Sequence, residues 1–301
     1  MTLLQAIILG IVQGLTEFIP ISSTAHLIFA SRAVGLYDGV NSTLRAEQTT
    51  ATIAVLQLGT LLAVLIYFAG DIWRITLAFV RDHLGLITGS RATGTDPVAT
   101  DHRRLSQDAW LGWLVIIGSL PVAVVGLLFK KQIEGTFTKN LWVIATMMIV
   151  IAILLALAEW VGKQQRSMEQ LGILDAIVVG FAQCLALIPG SSRSGSTIMA
   201  GLFAGEVRET AARFSFLLSI PAVLASGLLE LREAIHKLPH GSYGSLVVAT
   251  LVSAVVGYAS IWFLLRFLRT HSTGIFIAYR LIVGSLILLG LWGGYISAAV
   301  K

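Results

Sequence analysis

Five stretches of this chain, roughly residues 52–69, 111–129, 141–160, 245–265 and 276–297, run for about the depth of a bilayer with almost no charge. A helix rising 1.5 Å per residue needs about 20 apolar residues to cross the hydrocarbon core. Inside that core every backbone N–H and C=O must be paired within the protein, so such runs fold as helices. A sixth stretch, about 214–231, contains Pro221 but is otherwise apolar and long enough. Composition agrees, with 56% hydrophobic residues and only 12% charged, against about 25% charged in a soluble domain. Mean hydropathy is +0.84. A soluble enzyme, a disordered chain and a disulfide scaffold are excluded, the last because Cys184 stands alone. No basic run suits nucleic acid. The N-terminus has no Lys or Arg before Arg32, so it reads as part of the mature protein and not as a secretory signal. Residues 1–301 read as one all-α integral membrane domain.

Two further apolar segments are broken in the middle. Leu3 to Ala30 is interrupted by Gln13, Glu17, Pro20 and Ser22-Ser23-Thr24, and Ile173 to Ala204 by Gln183, Pro189 and Gly190-Ser191-Ser192-Arg193-Ser194-Gly195. Each reads as helix, polar loop, helix: a re-entrant hairpin, since irregular backbone at membrane depth survives only in protein or against a wet cavity. The two also resemble each other. Gly10-Ile11-Val12-Gln13 matches Gly180-Phe181-Ala182-Gln183 at an offset of 170, and after a one-residue slip Ile19-Pro20-Ile21-Ser22-Ser23 matches Ile188-Pro189-Gly190-Ser191-Ser192. Three spans separate them, so the hairpins enter from opposite faces. The expected architecture is six spanning helices and two hairpins in inverted-topology repeats, about 1–160 and 170–301. The polar stretch Arg81 to Asp108 reads as a surface loop without chemistry. Loops on its side carry eleven Lys and Arg against eight opposite, which places that side in the cytoplasm and the first hairpin's mouth outside.

Chemistry concentrates in the breaks. Gln13 and Glu17 are four apart and share a helix face. An intramembrane carboxylate faces a cavity or a partner, so Glu17 reads as a metal ligand or general base, or as half of a structural pair with an arginine such as Arg280. Ser22, Ser23 and Thr24 are explained equally by helix capping. His26 exchanges protons near neutral pH, or is a hydrogen-bonded core residue. The run Pro189 to Thr197 puts small residues, hydroxyls and Arg193 at a helix start, an arrangement that holds phosphate through backbone N–H groups and a planar guanidinium. It lacks the Gly-Lys-Ser/Thr ending of a nucleotide loop. Gly201-Leu202-Phe203-Ala204-Gly205 reads as small-residue helix packing, and Arg280 as a side chain snorkelling to the interface.

Gly14-Leu15-Thr16-Glu17-Phe18-Ile19-Pro20-Ile21-Ser22-Ser23-Thr24-Ala25-His26 and Pro189-Gly190-Ser191-Ser192-Arg193-Ser194-Gly195-Ser196-Thr197 closely resemble the two signature motifs of the bacterial undecaprenyl-diphosphate phosphatase family, of the bacitracin-resistance type. The tail Phe276-Ile277-Ala278-Tyr279-Arg280 is similar to that family too, and the likeness runs over nearly the whole chain. Two departures stand out: Gln13 occupies a position where the family takes Glu or Gln, and Ala25 stands where glycine is commoner.

The resemblance implies hydrolysis of the C55 isoprenoid diphosphate to the monophosphate carrier used for peptidoglycan precursors, in the bacterial plasma membrane, with a divalent cation (Mg2+ or Ca2+) as cofactor. It implies membrane lipids as surroundings and is compatible with a homodimer. Carried onto this chain, Glu17, Ser23, His26 and Arg193 form the catalytic set, and Glu17 with Gln13 holds the cation. Ser22, Thr24, Gly190, Ser191, Ser192, Ser194 and Thr197 surround the phosphates. Ser23 is the candidate nucleophile, activated by His26 or Glu17, with direct attack by water as the other route. A polyprenyl-phosphate transporter or flippase is the rival, because inverted repeats are also a transporter layout.

Overall fold

The computed structural model describes residues 1–88, 105–129, 140–238 and 240–298. Its α-helices are α1 (Leu3–Phe18), α2 (Ser23–Ala33), α3 (Ser42–Tyr67), α4 (Ala69–Thr88), α5 (Gln107–Leu128), α6 (Leu141–Val161), α7 (Ile173–Cys184), α8 (Arg193–Phe203), α9 (Arg208–Lys237), α10 (Tyr243–Leu268) and α11 (Gly274–Trp292). No strand occurs among the described residues, only an isolated bridge between Arg166 and Glu206. Six helices, α3, α5, α6, α9, α10 and α11, are long and apolar enough to cross a membrane. The sequence located all six, with ends within six residues of those observed except that α3 starts ten earlier, at Ser42 and not at 52. Polar side chains set several starts: Asn41 accepts from the Leu44 N–H, Ser106 from Ala109 and Asn140 from Trp142.

The half-length helices pack against full spans. α1 lies along α10 and α7 along α5. Close approach demands glycine at both crossings. A Cβ on Gly10 would stand 2.6 Å from the Ala249 carbonyl oxygen, and one on Gly180 would stand 2.4 Å from that of Gly118. α3 and α9 pack together, as do α6 and α11. The central core gathers Phe18, Phe68, Phe216, Ile198, Leu202, Ile261 and Leu264, with the Phe18 and Phe216 rings edge to face at 5.3 Å. Outward faces carry exposed Trp142, Trp160, Trp262 and Trp292, as lipid-facing surfaces do.

One expectation fails. The chain from Arg81 onward is not a loop at first, because α4 continues to Thr88; residues 89–104 lie outside the described part. Asp71, Arg74, Arg81, Asp82 and His83 depress the hydropathy of α4, yet Ile72 and Ile75 pack on the core. The helix is tied to α5 by polar contacts at its far end. Asp82 accepts the Ser106 N–H at 2.7 Å, and His83 Nε2 accepts from Trp113 Nε1 at 3.0 Å. Trp73, Leu77, Val80, Leu84 and Ile87 face outward. This amphipathic character hid the helix from a reading tuned to uniform apolar runs.

Candidate active site

Proline and left-handed residues create both helix breaks. α1 stops at Phe18, and Ile19 is extended (φ −66°, ψ 132°) ahead of Pro20, the conformation that a following proline favours. Ser22 then turns with φ 78° and α2 begins. In the second segment α7 ends at Cys184 and a 3₁₀ turn spans Leu185–Leu187. Ile188 is extended before Pro189, Gly190 has φ 94° and Ser192 φ 66°. Gly190 is obligatory twice over, since a Cβ would also stand 2.2 Å from the Ile144 carbonyl oxygen. The two left-handed serines occupy the same place, immediately before α2 and α8, and are 170 apart. The one-residue slip read in the sequence is therefore confined to the loops. Ser23 and Arg193 are equivalent first residues of the two helices.

The breaks touch through charged groups. Arg193 Nη2 lies 3.0 Å from Glu17 Oε1. Gln13 Nε2 donates to Glu17 Oε2 at 3.1 Å and to Thr60 Oγ1 at 3.4 Å. Gln13 is wholly buried, and its Oε1 has no partner; nor does the buried Nη1 of Arg193. Each of these atoms is a hydrogen-bonding position left open beside Glu17.

Arg280 does not snorkel. It is the largest fully buried side chain among the described residues. Nε donates to the Met148 carbonyl at 3.1 Å, Nη1 to Pro20 at 3.3 Å, and Nη2 to Gly190 at 2.9 Å, Ser191 at 3.0 Å and Met147 at 3.3 Å. One guanidinium thus clamps both breaks to α6. The guanidinium that partners the Glu17 carboxylate is that of Arg193, so the alternative pairing of Glu17 with Arg280 is set aside.

The remaining sequence-selected residues divide in two. Ser191 Oγ donates to the Ile188 carbonyl, Ser192 Oγ accepts from Gly195 N–H at 3.1 Å, and Thr197 Oγ1 donates to the Arg193 carbonyl and pairs with Ser215. These hydroxyls shape the loop and first turn of α8. Ser194 Oγ bonds Ser192 Oγ at 3.2 Å and approaches the Glu17 carbonyl at 3.5 Å. Ser22 is buried at the start of α2, but its side chain makes no capping bond. The first N–H groups of α2 thus keep no side-chain acceptor from the capping position. Half-buried Ser23 and Thr24 have hydroxyls without partners among the described residues. His26 contacts neither Ser23 nor Glu17 through its ring nitrogens: Nδ1 lies 2.7 Å from the Ser22 carbonyl oxygen and Nε2 2.6 Å from Tyr279 Oη. Thr60 and Tyr279 are the polar contacts that sequence reasoning did not select. Tyr279 stood beside Arg280 in the tail motif, which was its one visible signal.

The donor set near Glu17 is compatible with a hard divalent cation of limited protein ligation. One carboxylate and the open Gln13 Oε1 are both oxygen donors, the type that Mg2+ and Ca2+ take. Among the described residues no group of three or more His, Cys, Asp or Glu gathers to form a full cage. A cation here would draw its other ligands from phosphate oxygens and water.

The profile of the family described as Bacitracin resistance protein BacA matches residues 6–286. An undecaprenyl-diphosphatase of Syntrophobacter fumaroxidans is 53% identical over 288 residues, covering 96% of this chain and 97% of that protein. One from Mycolicibacterium gilvum is 48% identical over 301 residues, covering 99% and 100%, and one from Nocardia farcinica is 48% identical over 320 residues, covering 99% and 98%. With both signature breaks inside the matched span and near-complete coverage on either side, the chain belongs to the bacitracin resistance protein BacA family.

Proposed function

We propose that the protein is an undecaprenyl-diphosphatase that cleaves the terminal phosphoanhydride of its lipid substrate, giving undecaprenyl phosphate and inorganic phosphate. One observation carries this: Arg193 stands where the breaks meet, with one Nη on Glu17 and the other buried and open. A guanidinium so placed gives two parallel N–H donors to phosphate oxygens. An incoming diphosphate competes with Glu17 for Arg193, so binding frees the carboxylate at the moment it is needed. The unbonded N–H groups at the starts of α2 and α8 add donors for charge that develops on the transferring phosphoryl group. Ser23 Oγ forms a bond to the terminal phosphorus as the anhydride P–O bond breaks, and the electron pair leaves with the lipid monophosphate. Glu17 or His26 takes the serine proton, and water then releases phosphate from the serine. Glu17 and Gln13 hold the divalent cation, which when bound supplies neutralising charge.

This reading includes a multi-pass protein of the bacterial plasma membrane whose two broken segments are re-entrant hairpins in inverted repeats. The packing supports it. Pairing α1, α2, α3, α5 and α6 with α7, α8, α9, α10 and α11 exchanges α1–α10 with α7–α5 and α3–α10 with α9–α5, and maps α3–α9 and α6–α11 onto themselves. α4 alone has no counterpart. The transporter reading is not favoured, because the relatives are named for hydrolysis.

The test is release of inorganic phosphate from C55 diphosphate by purified protein in detergent, with Mg2+ or Ca2+ supplied. Release by the wild type and its loss in Arg193→Ala are expected. Lipid diphosphate that binds and is never cleaved would overturn the reading.

A further inference from the structure

Both nitrogens of His26 are committed, and the commitments fix its proton. Nδ1 faces the Ser22 carbonyl oxygen at 2.7 Å, which can only accept, so Nδ1 carries hydrogen. In a neutral imidazole Nε2 is then the acceptor, and the group 2.6 Å away is the Tyr279 hydroxyl, which donates. The two rings are nearly parallel, 16° apart with centroids at 5.6 Å. Tyr279 precedes Arg280 in α11, and the Arg280 guanidinium is fixed to carbonyls of both breaks. The backbone that carries the phenol is therefore anchored to the loops that carry the site. Tyr279 is 39% exposed. Arg280 is the charged neighbour of His26 from α11; the other polar groups at the ring are the Ser22 carbonyl and the phenol itself.

We infer that Tyr279 is a positioning residue that, with the Ser22 carbonyl, holds His26 as its Nδ1–H tautomer and aims the single basic nitrogen, Nε2, at the phenol. The inference rests on the hydrolase reading and deepens it, because it sets how His26 serves as base. A proton released by the attacking hydroxyl or water has one place to go on the ring, Nε2. The lone pair of Nε2 is held by the phenol, so the proton arrives through it: Tyr279 Oη passes its hydrogen to Nε2 as it takes up the one released by the attacking hydroxyl or water, and the imidazolium N–H then donates to Oη. Tyr279 is neutral before and after the transfer, and the pair gains only the one proton.

Tyr279→Phe tests this, since it keeps the ring stack and removes only the hydroxyl. The expected result is a fall in kcat of about tenfold to a hundredfold, as when a partner orienting an imidazole is lost. KM should stay within about twofold and the acid limb of the pH–kcat profile should move. In a His26→Ala background the same change should add nothing, because Tyr279 acts only through the ring. Nitrogen-15 NMR of labelled histidine should show the Nδ1–H tautomer in the wild type and a mixture in Tyr279→Phe. Additive losses in the double variant, or a tautomer indifferent to Tyr279, would overturn the inference. The NMR reading needs no turnover, so it still judges the pair if the wild type proves unable to release phosphate, an outcome that strikes the hydrolase reading alone.

Discussion

Arg280 shows how far a residue type alone misleads. An arginine near the end of an apolar run reads as an interface anchor, and hydropathy cannot reveal that five backbone carbonyls from three segments meet it inside the bundle. Arg193, Glu17 and Gln13 were legible because a charge or amide in a broken apolar segment needs a partner, and here they partner one another. Arg193→Lys should be nearly as damaging to phosphate release as Arg193→Ala, since an ammonium cannot offer a phosphate the two parallel N–H donors of a guanidinium. A lysine variant with most of the wild-type rate would reduce Arg193 to a diffuse positive charge. Glu206, between α8 and α9, was not singled out at all. Its carboxyl is fully buried with neither oxygen partnered, and burial first, then the nearby Asp175, pushes its pKa up to about 8 against the pull of Arg166. Between the ordinary carboxylate range and about pH 8 the folded state therefore holds a proton that the unfolded chain has released. Stability falls as pH rises through that window and levels off above it. Glu206→Gln should raise the melting temperature at pH 8 more than at pH 5, measured by thermal unfolding in detergent; equal shifts at both would show that Glu206 does not titrate there.

The elements were legible wherever one rule governed a whole segment. Uniform apolar runs became spans, and proline with paired serines became breaks. α4 was missed because it obeys two rules at once, apolar along one side and charged along another, so its average says loop. Crossing geometry was also invisible, because it depends on a second helix. Gly10 and Gly180 lie 170 apart in the chain and make the same kind of contact, each setting a half-length helix against a neighbouring carbonyl. Gly10→Ala and Gly180→Ala should therefore cost similar stability, about 1–3 kcal/mol each from forced backbone displacement. Gly70→Ala, where an added Cβ meets nothing within 4 Å, should cost nothing measurable and serves as the control. Chemical denaturation of the three variants decides it. A Gly180 variant as stable as the control would mean that α7 stands off α5 more than the packing indicates.

At the scale of the whole molecule, the repeat relation turns on an odd number of crossings between the two breaks. α3, α5 and α6 supply three, provided that α4 lies along the surface. If the 20 residues of α4 crossed as well, the count would be even and both hairpins would enter from one face. The ends of two spans bear on the choice. α9 starts at Arg208, just after the second hairpin's Gly205, and leads to Leu238, which packs with Leu36 just after the first hairpin. α3 starts after Leu36, and the residues following it bring Asp71 to 2.9 Å from Arg213 near the start of α9. On the proposed reading of the two broken segments as hairpins, α3 and α9 would thus join the mouth of one to that of the other. Single cysteines at Ala33, after the first hairpin, and Lys163, beside the second, should then be labelled by a membrane-impermeant maleimide from opposite sides of sealed vesicles, in a Cys184→Ser background. Both sites are exposed in the fold, so protection reports the membrane and not burial. Labelling of both from one side would make α4 a crossing and the repeats parallel. The two breaks would still meet at Glu17 and Arg193, but the site could no longer be described as two opposed hairpins.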